Sequence, residues 1–104
     1  MAANTSAIPT LSPKEFLILD LLAAAKEMYG LELVGSSSGA LKRGTVYVTL
    51  GRMQEKGYIT SRLEDAPPSA GGLPRRLYAP TKLGRELLAA WRAASTRFAV
   101  RFAR

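Results

Sequence analysis

The side chains best suited to chemistry crowd between Lys42 and Lys56. Lys42, Arg43, Thr45, Tyr47, Thr49, Arg52 and Lys56 bring cations, hydroxyls and a phenol into one short stretch. Such groups hydrogen-bond phosphate oxygens and base edges, and near a helix N-terminus they suit an anionic partner. Catalytic groups are scarce by contrast. The chain has no histidine and no cysteine, which removes the commonest general base, thiol chemistry, disulfides and nearly every zinc site. An enzyme would have to run on scattered carboxylates, serines or lysines, so neither catalysis nor a metal or other cofactor is expected. Fifteen Lys and Arg against eight Asp and Glu give a net charge of +7, which points to nucleic acid or an anionic membrane.

The element carrying these groups reads as an amphipathic helix. Val46, Leu50 and Met53 recur at i, i+4 and i+7 and share one face, while Thr45, Thr49, Arg52 and Lys56 lie away from it. Gly57 stands where a left-handed residue would end the helix. The expectation is a DNA recognition helix; the plainer reading is an ordinary surface helix with solvated charges.

At 104 residues, 47% of them apolar, the chain is read as one folded domain. Residues 1–10 read as a flexible arm without signal-peptide character, and no run approaches the roughly 20 apolar residues of a membrane span. A cytoplasmic protein is expected. Ser12, Pro13 and Glu15 form a helix-start signal with a capping box. From Phe16 to Ala25 only Asp20 interrupts an apolar run, so this helix is either the core's centre or partly covered by a second subunit. Tyr29 to Val34 reads as a short helix ended by the Gly35–Gly39 cluster, which lacks the Gly-Lys-Ser/Thr of a phosphate loop. Tyr58–Glu64 and Arg75–Ala79 read as two strands of a hairpin, separated by the proline- and glycine-rich Asp65–Pro74. Thr81 can cap a last helix, in which Leu87, Trp91, Ala94, Phe98 and Phe102 form one seam. An exposed aromatic seam favours a partner, so Leu87, Trp91, Ala94, Phe98 and Phe102, joined by Phe16, are the expected dimer interface.

The fold class that follows is mostly α with a small antiparallel β-hairpin: a winged helix-turn-helix over residues 11–80 and a C-terminal dimerisation helix over 81–104. The residues also resemble the PadR-type transcriptional regulators. The resemblance rests on Tyr29-Gly30-Leu31-Glu32-Leu33, Gly44-Thr45-Val46-Tyr47 with Leu50, Arg52 and Met53, and Gly57-Tyr58-Ile59. It continues through Pro74-Arg75-Arg76-Leu77-Tyr78, Thr81, Gly84-Arg85 and Leu87-Leu88.

This resemblance implies a homodimeric, usually repressive bacterial regulator of double-stranded DNA. Its third helix would enter the major groove, its wing would touch the backbone, and its last helix would dimerise. Thr45 and Tyr47 would contact phosphate, and Arg75 and Arg76 match the family's basic pair entering the second wing strand. Some members release DNA when an aromatic ligand binds near the dimer interface, for which Trp91, Phe98 and Phe16 are the candidate walls here; simple packing of Trp91 is the plainer reading. The chain departs from the family at Val48, where proline is usual, at Lys42 and Arg43, and at Gly51, which either admits DNA closely or is neutral. Pro80, in place of an apolar strand residue, is expected to end the hairpin early.

In this reading Lys42, Arg43, Thr45, Tyr47, Arg75 and Arg76 hold phosphates, with Lys56 nearby, and Thr49 and Arg52 read bases. The alternatives are a winged helix serving as a protein-interaction or architectural module and, more remotely, a membrane-surface role for the arginine-rich last helix.

Overall fold

Ser12 starts the first helix as its residue type promises. In the computed structural model, which describes residues 9–64 and 75–102 with side chains through residue 95, its hydroxyl accepts from the Glu15 backbone N–H at 3.1 Å. The Glu15 carboxylate accepts from the Ser12 N–H at 2.9 Å, completing the box. Helix α1 (Pro13–Ala25) buries Ile18, Leu19 and Leu22 completely, each contributing about 1.5–3 kcal/mol of transfer free energy. It stops at Lys26, whose φ of 76° turns the chain sharply.

That turn delivers a strand the sequence did not suggest. Met28–Tyr29 forms β1, pairing antiparallel with the hairpin: Met28 opposite Tyr78 and Tyr29 opposite Leu77. The short helix α2 therefore runs Gly30–Ser36, starting one residue later and ending two later than Tyr29–Val34. Glu32 reaches back to accept from the Tyr29 N–H at 2.8 Å. The turn to α3 is held by Ser37, whose buried hydroxyl donates to the Val34 carbonyl at 2.8 Å and accepts from the Leu41 N–H at 2.9 Å.

Helix α3 (Val46–Glu55) buries Val46, Leu50 and Met53 against this core. Gly57, at φ 82°, ends it in the left-handed conformation that favours glycine. Strands β2 (Ile59–Glu64) and β3 (Arg75–Pro80) then pair antiparallel, giving the sheet order β1-β3-β2. Pro80 does not end the hairpin early: it is the last residue of β3, opposite Ile59, where a missing N–H is tolerated. Of the alternating pair Ile59 and Leu63, only Ile59 is buried. The loop expected between the strands lies outside the described residues.

Helix α4 (Lys82–Phe102) is capped as expected, the Thr81 hydroxyl accepting from the Gly84 N–H at 3.0 Å and donating to the Gly57 carbonyl at 2.6 Å. Its first turns belong to the core through Leu87 and Leu88. Leu87, expected at a subunit interface, is thus buried within its own protomer. Phe16 and Trp91 pack half-buried against the same core. Arg92 pairs with Asp20 of α1, and the Trp91 indole N–H donates to the Pro9 carbonyl at 3.0 Å.

Candidate nucleic-acid interface

The buried face of α3 fixes which of its side chains look outward. With Val46, Leu50 and Met53 inside, the stripe farthest from them is Val48, Gly51, Arg52 and Glu55, at i, i+3, i+4 and i+7. All four are exposed. Thr49 and Lys56 occupy one shoulder of this stripe and Tyr47 the other. The face read from the sequence was centred on the Thr49–Lys56 shoulder, one position away from the true outward direction.

Each shoulder opens on a concavity. On the Lys56 side, Ser12, Lys14, Glu15, Thr49, Arg52 and Lys56 line a pocket of about 400 Å³. Lys56 does not project freely there: its ammonium meets the Glu15 carboxylate at 2.8 Å, with side chains 44% and 8% exposed. Burial alone would raise the Glu15 pKa, but the Lys56 ammonium and the Ser12 N–H outweigh it and hold the carboxyl below its usual range. The same pair raises the Lys56 pKa. Lys14, missed in the sequence reading, adds an exposed cation to this shoulder; its neighbour in the chain is the capping residue, which drew attention to structure instead.

On the other shoulder, Tyr29, Gly30, Leu31, Glu32, Tyr47, Arg75 and Arg76 line a groove of about 390 Å³ between α3 and the hairpin. Tyr47 lies directly over Gly30, where a Cβ would come within 2.7 Å of the phenol oxygen. Glycine at position 30 therefore leaves room for the Tyr47 ring at the start of α2.

Arg75 and Arg76, adjacent in the chain, are held differently. The Arg75 guanidinium stacks 4.1 Å from the Tyr29 ring centre and sits 3.5 Å from the Glu64 carboxylate. Tyr29 donates its hydroxyl to Glu64 as well, and that bond first, with burial second, raises its pKa. Arg76 donates to the Ser61 hydroxyl at 2.9 Å, and Ser61 to Gln54 of α3 at 3.3 Å. The loop-side end of the hairpin is thereby tied to β1 on one side and to α3 on the other.

Lys42, Arg43 and Thr45 are exposed just ahead of α3. Thr45 occupies the N-cap position without a side-chain capping bond, and backbone bonds close the turn into the helix, the Val46 N–H donating to the Lys42 carbonyl at 2.9 Å and the Val48 N–H to the Thr45 carbonyl at 3.1 Å. The structure thus brings Lys42, Arg43, Thr45, Tyr47, Thr49, Arg52, Arg75 and Arg76 around one helix and one hairpin. Of the residues expected to form a dimer interface or a ligand site, Phe16, Trp91 and Ala94 are partly exposed. Neither pocket described above is lined by Phe16 or Trp91. The side chains of Phe98 and Phe102 lie outside the described residues.

A helix-turn-helix followed by a basic hairpin defines a winged helix-turn-helix. Residues 18–90 match the transcriptional regulator PadR-like family, and the chain belongs to that family. Solved structures agree with this. The chain is similar to a PadR family transcription regulator from hypervirulent Clostridium difficile R20291, at 27% identity and a TM-score of 0.72, covering 89% of this chain and 100% of that one. It also resembles a PadR-like transcription factor from Bacteroides fragilis (21% identity, TM-score 0.69, 81% of each chain). A PadR-like transcriptional regulator from Bacillus cereus strain ATCC 14579 shares 24% identity at a TM-score of 0.65 over 84% of each chain. No curated protein matches the chain. No helix among the described residues is long and apolar enough to cross a membrane.

Proposed function

We propose that this protein is a sequence-specific DNA-binding transcriptional regulator, acting as a homodimeric repressor on a palindromic operator. One juxtaposition carries the reading: Tyr47, in the first turn of α3, shares a groove with Arg75 and Arg76 of the hairpin, and Lys42, Arg43 and Thr45 lie exposed just ahead of that turn. A duplex whose major groove receives α3 would lay its backbone along that groove. Arg52, on the outward stripe, has the reach and the forked donors for a guanine edge. Lys42, Arg43, Thr45, Tyr47 and Arg76 take phosphates, and Thr49 contacts the groove from its shoulder.

Dimerisation falls to α4 beyond Leu87, through Trp91, Ala94, Phe98 and Phe102, together with Phe16. Two copies so joined would present their recognition helices about 34 Å apart, one helical turn of DNA. A planar aromatic effector entering between Trp91, Phe98 and Phe16 would disturb the Trp91–Pro9 hydrogen bond and the geometry of the pair. Trp91 fluorescence should then quench on titration with planar aromatics; an unchanged spectrum would remove the effector from the scheme.

The test of the main reading is selection from a random duplex pool across a salt series, followed by sequencing. An enriched palindrome with half-sites one helical turn apart supports it, and a promoter carrying that palindrome should lose activity when the protein is present. Salt-sensitive binding without an enriched sequence would replace the reading with an architectural role. Absence of binding at low salt would leave a protein-interaction module.

A further inference from the structure

Two residues on the outward stripe of α3 stand clear of the core formed by the described residues. Val48 is 56% exposed, an apolar, β-branched side chain placed at the N-terminal end of the most solvent-facing line of a polar helix surface. Gly51 follows one turn later. Glycine inside a helix costs about 1 kcal/mol relative to alanine, and a mid-helix glycine usually repays inspection of its neighbours. Here a Cβ at Gly51 would meet no atom within 4 Å among the described residues. None of the described residues therefore excludes a methyl group, and the open space lies on the side facing away from the core.

Val48 and Gly51 sit at i and i+3, so they are surface neighbours. Together they make a small apolar seat: the valine methyls form one wall, and the bare Gly51 backbone forms a floor. Arg52 borders the seat on the same stripe. Lys42 and Arg43 lie beyond its N-terminal end, and Glu55 marks the opposite end of the stripe. A seat of this kind, with Arg52 beside it and Lys42 and Arg43 toward its N-terminal end, suits an apolar group carried on a polyanion. The major groove displays one such group, the thymine 5-methyl.

We infer that Val48 and Gly51 read a thymine: the valine methyls contact its 5-methyl group, and Gly51 lets the helix approach the base edge closely. The inference rests on α3 being the DNA recognition helix. It adds a specificity element that carries no charge and forms no hydrogen bond. Arg52, on the adjacent turn, places its guanidinium on a neighbouring base pair, so the two elements read different positions of one half-site.

The experiment uses the full chain and the duplex selected from the random pool. Each thymine of a half-site is replaced in turn by deoxyuridine, which differs only in lacking the 5-methyl group. At one thymine the affinity should fall about threefold to fivefold, the weight of one methyl removed from apolar contact. Val48→Ala should bind more weakly and show no further loss from uracil at that same position. Gly51→Ala should bind the site about tenfold more weakly, comparable with a base-pair mismatch, while melting no lower than the parent. Three results would overturn the inference: tolerance of uracil at every thymine, a uracil penalty that persists unchanged in Val48→Ala, or full affinity in Gly51→Ala. Failure of the selection to enrich any sequence would overturn the operator-binding reading itself and this inference with it, an outcome visible before any uracil is introduced.

Discussion

Two helical glycines, Gly84 and Gly51, show what the chain demands of itself and what it leaves to something else. Gly84 lies where α4 crosses the start of the hairpin. A Cβ there would stand 2.0 Å from the Tyr58 carbonyl oxygen and 3.2 Å from Leu19 Cδ2. The obstruction is backbone, so no side-chain rotation relieves it, and the first helix, the hairpin and the last helix can meet only over a bare backbone. Around Gly51 the described residues leave open space. The junction is over-determined by its own atoms, whereas the outward stripe of α3 is under-determined until a partner is supplied.

The contrast can be broken most forcefully at the junction. Gly84→Ala should cost about 3 kcal/mol or more, since overpacking against rigid backbone leaves the helix to shift; denaturant unfolding checks it, and a small loss would mean that α4 slides easily. On the outward stripe, Arg52→Ala should leave unfolding unchanged and cost about 1–3 kcal/mol of binding at one base position. Arg76→Ala should instead weaken all sequences alike. Equal loss on every sequence for Arg52→Ala would remove it from base reading.

Between these regions lies Glu15, which belongs to the cap of α1 and to the shoulder of α3 at once. Glu15→Ala should cost about 1 kcal/mol through the lost cap and release Lys56. Because the folded-state pKa of Glu15 is lowered, its contribution is present above the ordinary carboxylate value and fades as pH falls through the folded value. The melting-temperature gap between Glu15→Gln and the parent should therefore narrow on acidification; a constant gap would mean that the charge is immaterial. The smallest effect sharpens the comparison best. Gly51→Ala should raise unfolding stability by about 0.5–1 kcal/mol, opposite in sign to the change at Gly84.

Much of this was legible in the residues. Ser12-Pro13-Glu15, Gly57 and Thr81 state their roles locally, because caps and left-handed turns depend on a few adjacent residues. The period of Val46, Leu50 and Met53 placed helix α3 and its buried face. Strand β1 was not legible: two residues are too few to show a period, and what makes Met28 and Tyr29 a strand is pairing with Leu77 and Tyr78 far along the chain. The Lys56–Glu15 bond, spanning 41 positions, was hidden for the same reason, so Lys56 looked like a free cation. On α3 the eye follows charge, and the cations and hydroxyls at Thr49, Arg52 and Lys56 drew attention one position away from the outward line, where Val48 and Gly51 carry no charge to notice.

The clasp of Tyr29, Glu64 and Arg75 bears on the rate and reversibility of recognition. A two-stranded hairpin left to itself would swing, and a long arginine at its loop end would sample many rotamers. Here one guanidinium is stacked and paired before any duplex arrives. The ordering entropy of that side chain is lost during folding rather than at association, where it would cost roughly 0.5–1.5 kcal/mol. Under the proposed reading, Arg75 would enter the encounter with its charge already answered by Glu64, leaving Arg76 to meet the phosphate. If the proposed reading holds, a wing fixed in this way would meet DNA as a ruler rather than as a grasping arm, tolerating a backbone already at the right distance from α3 and penalising one that is not.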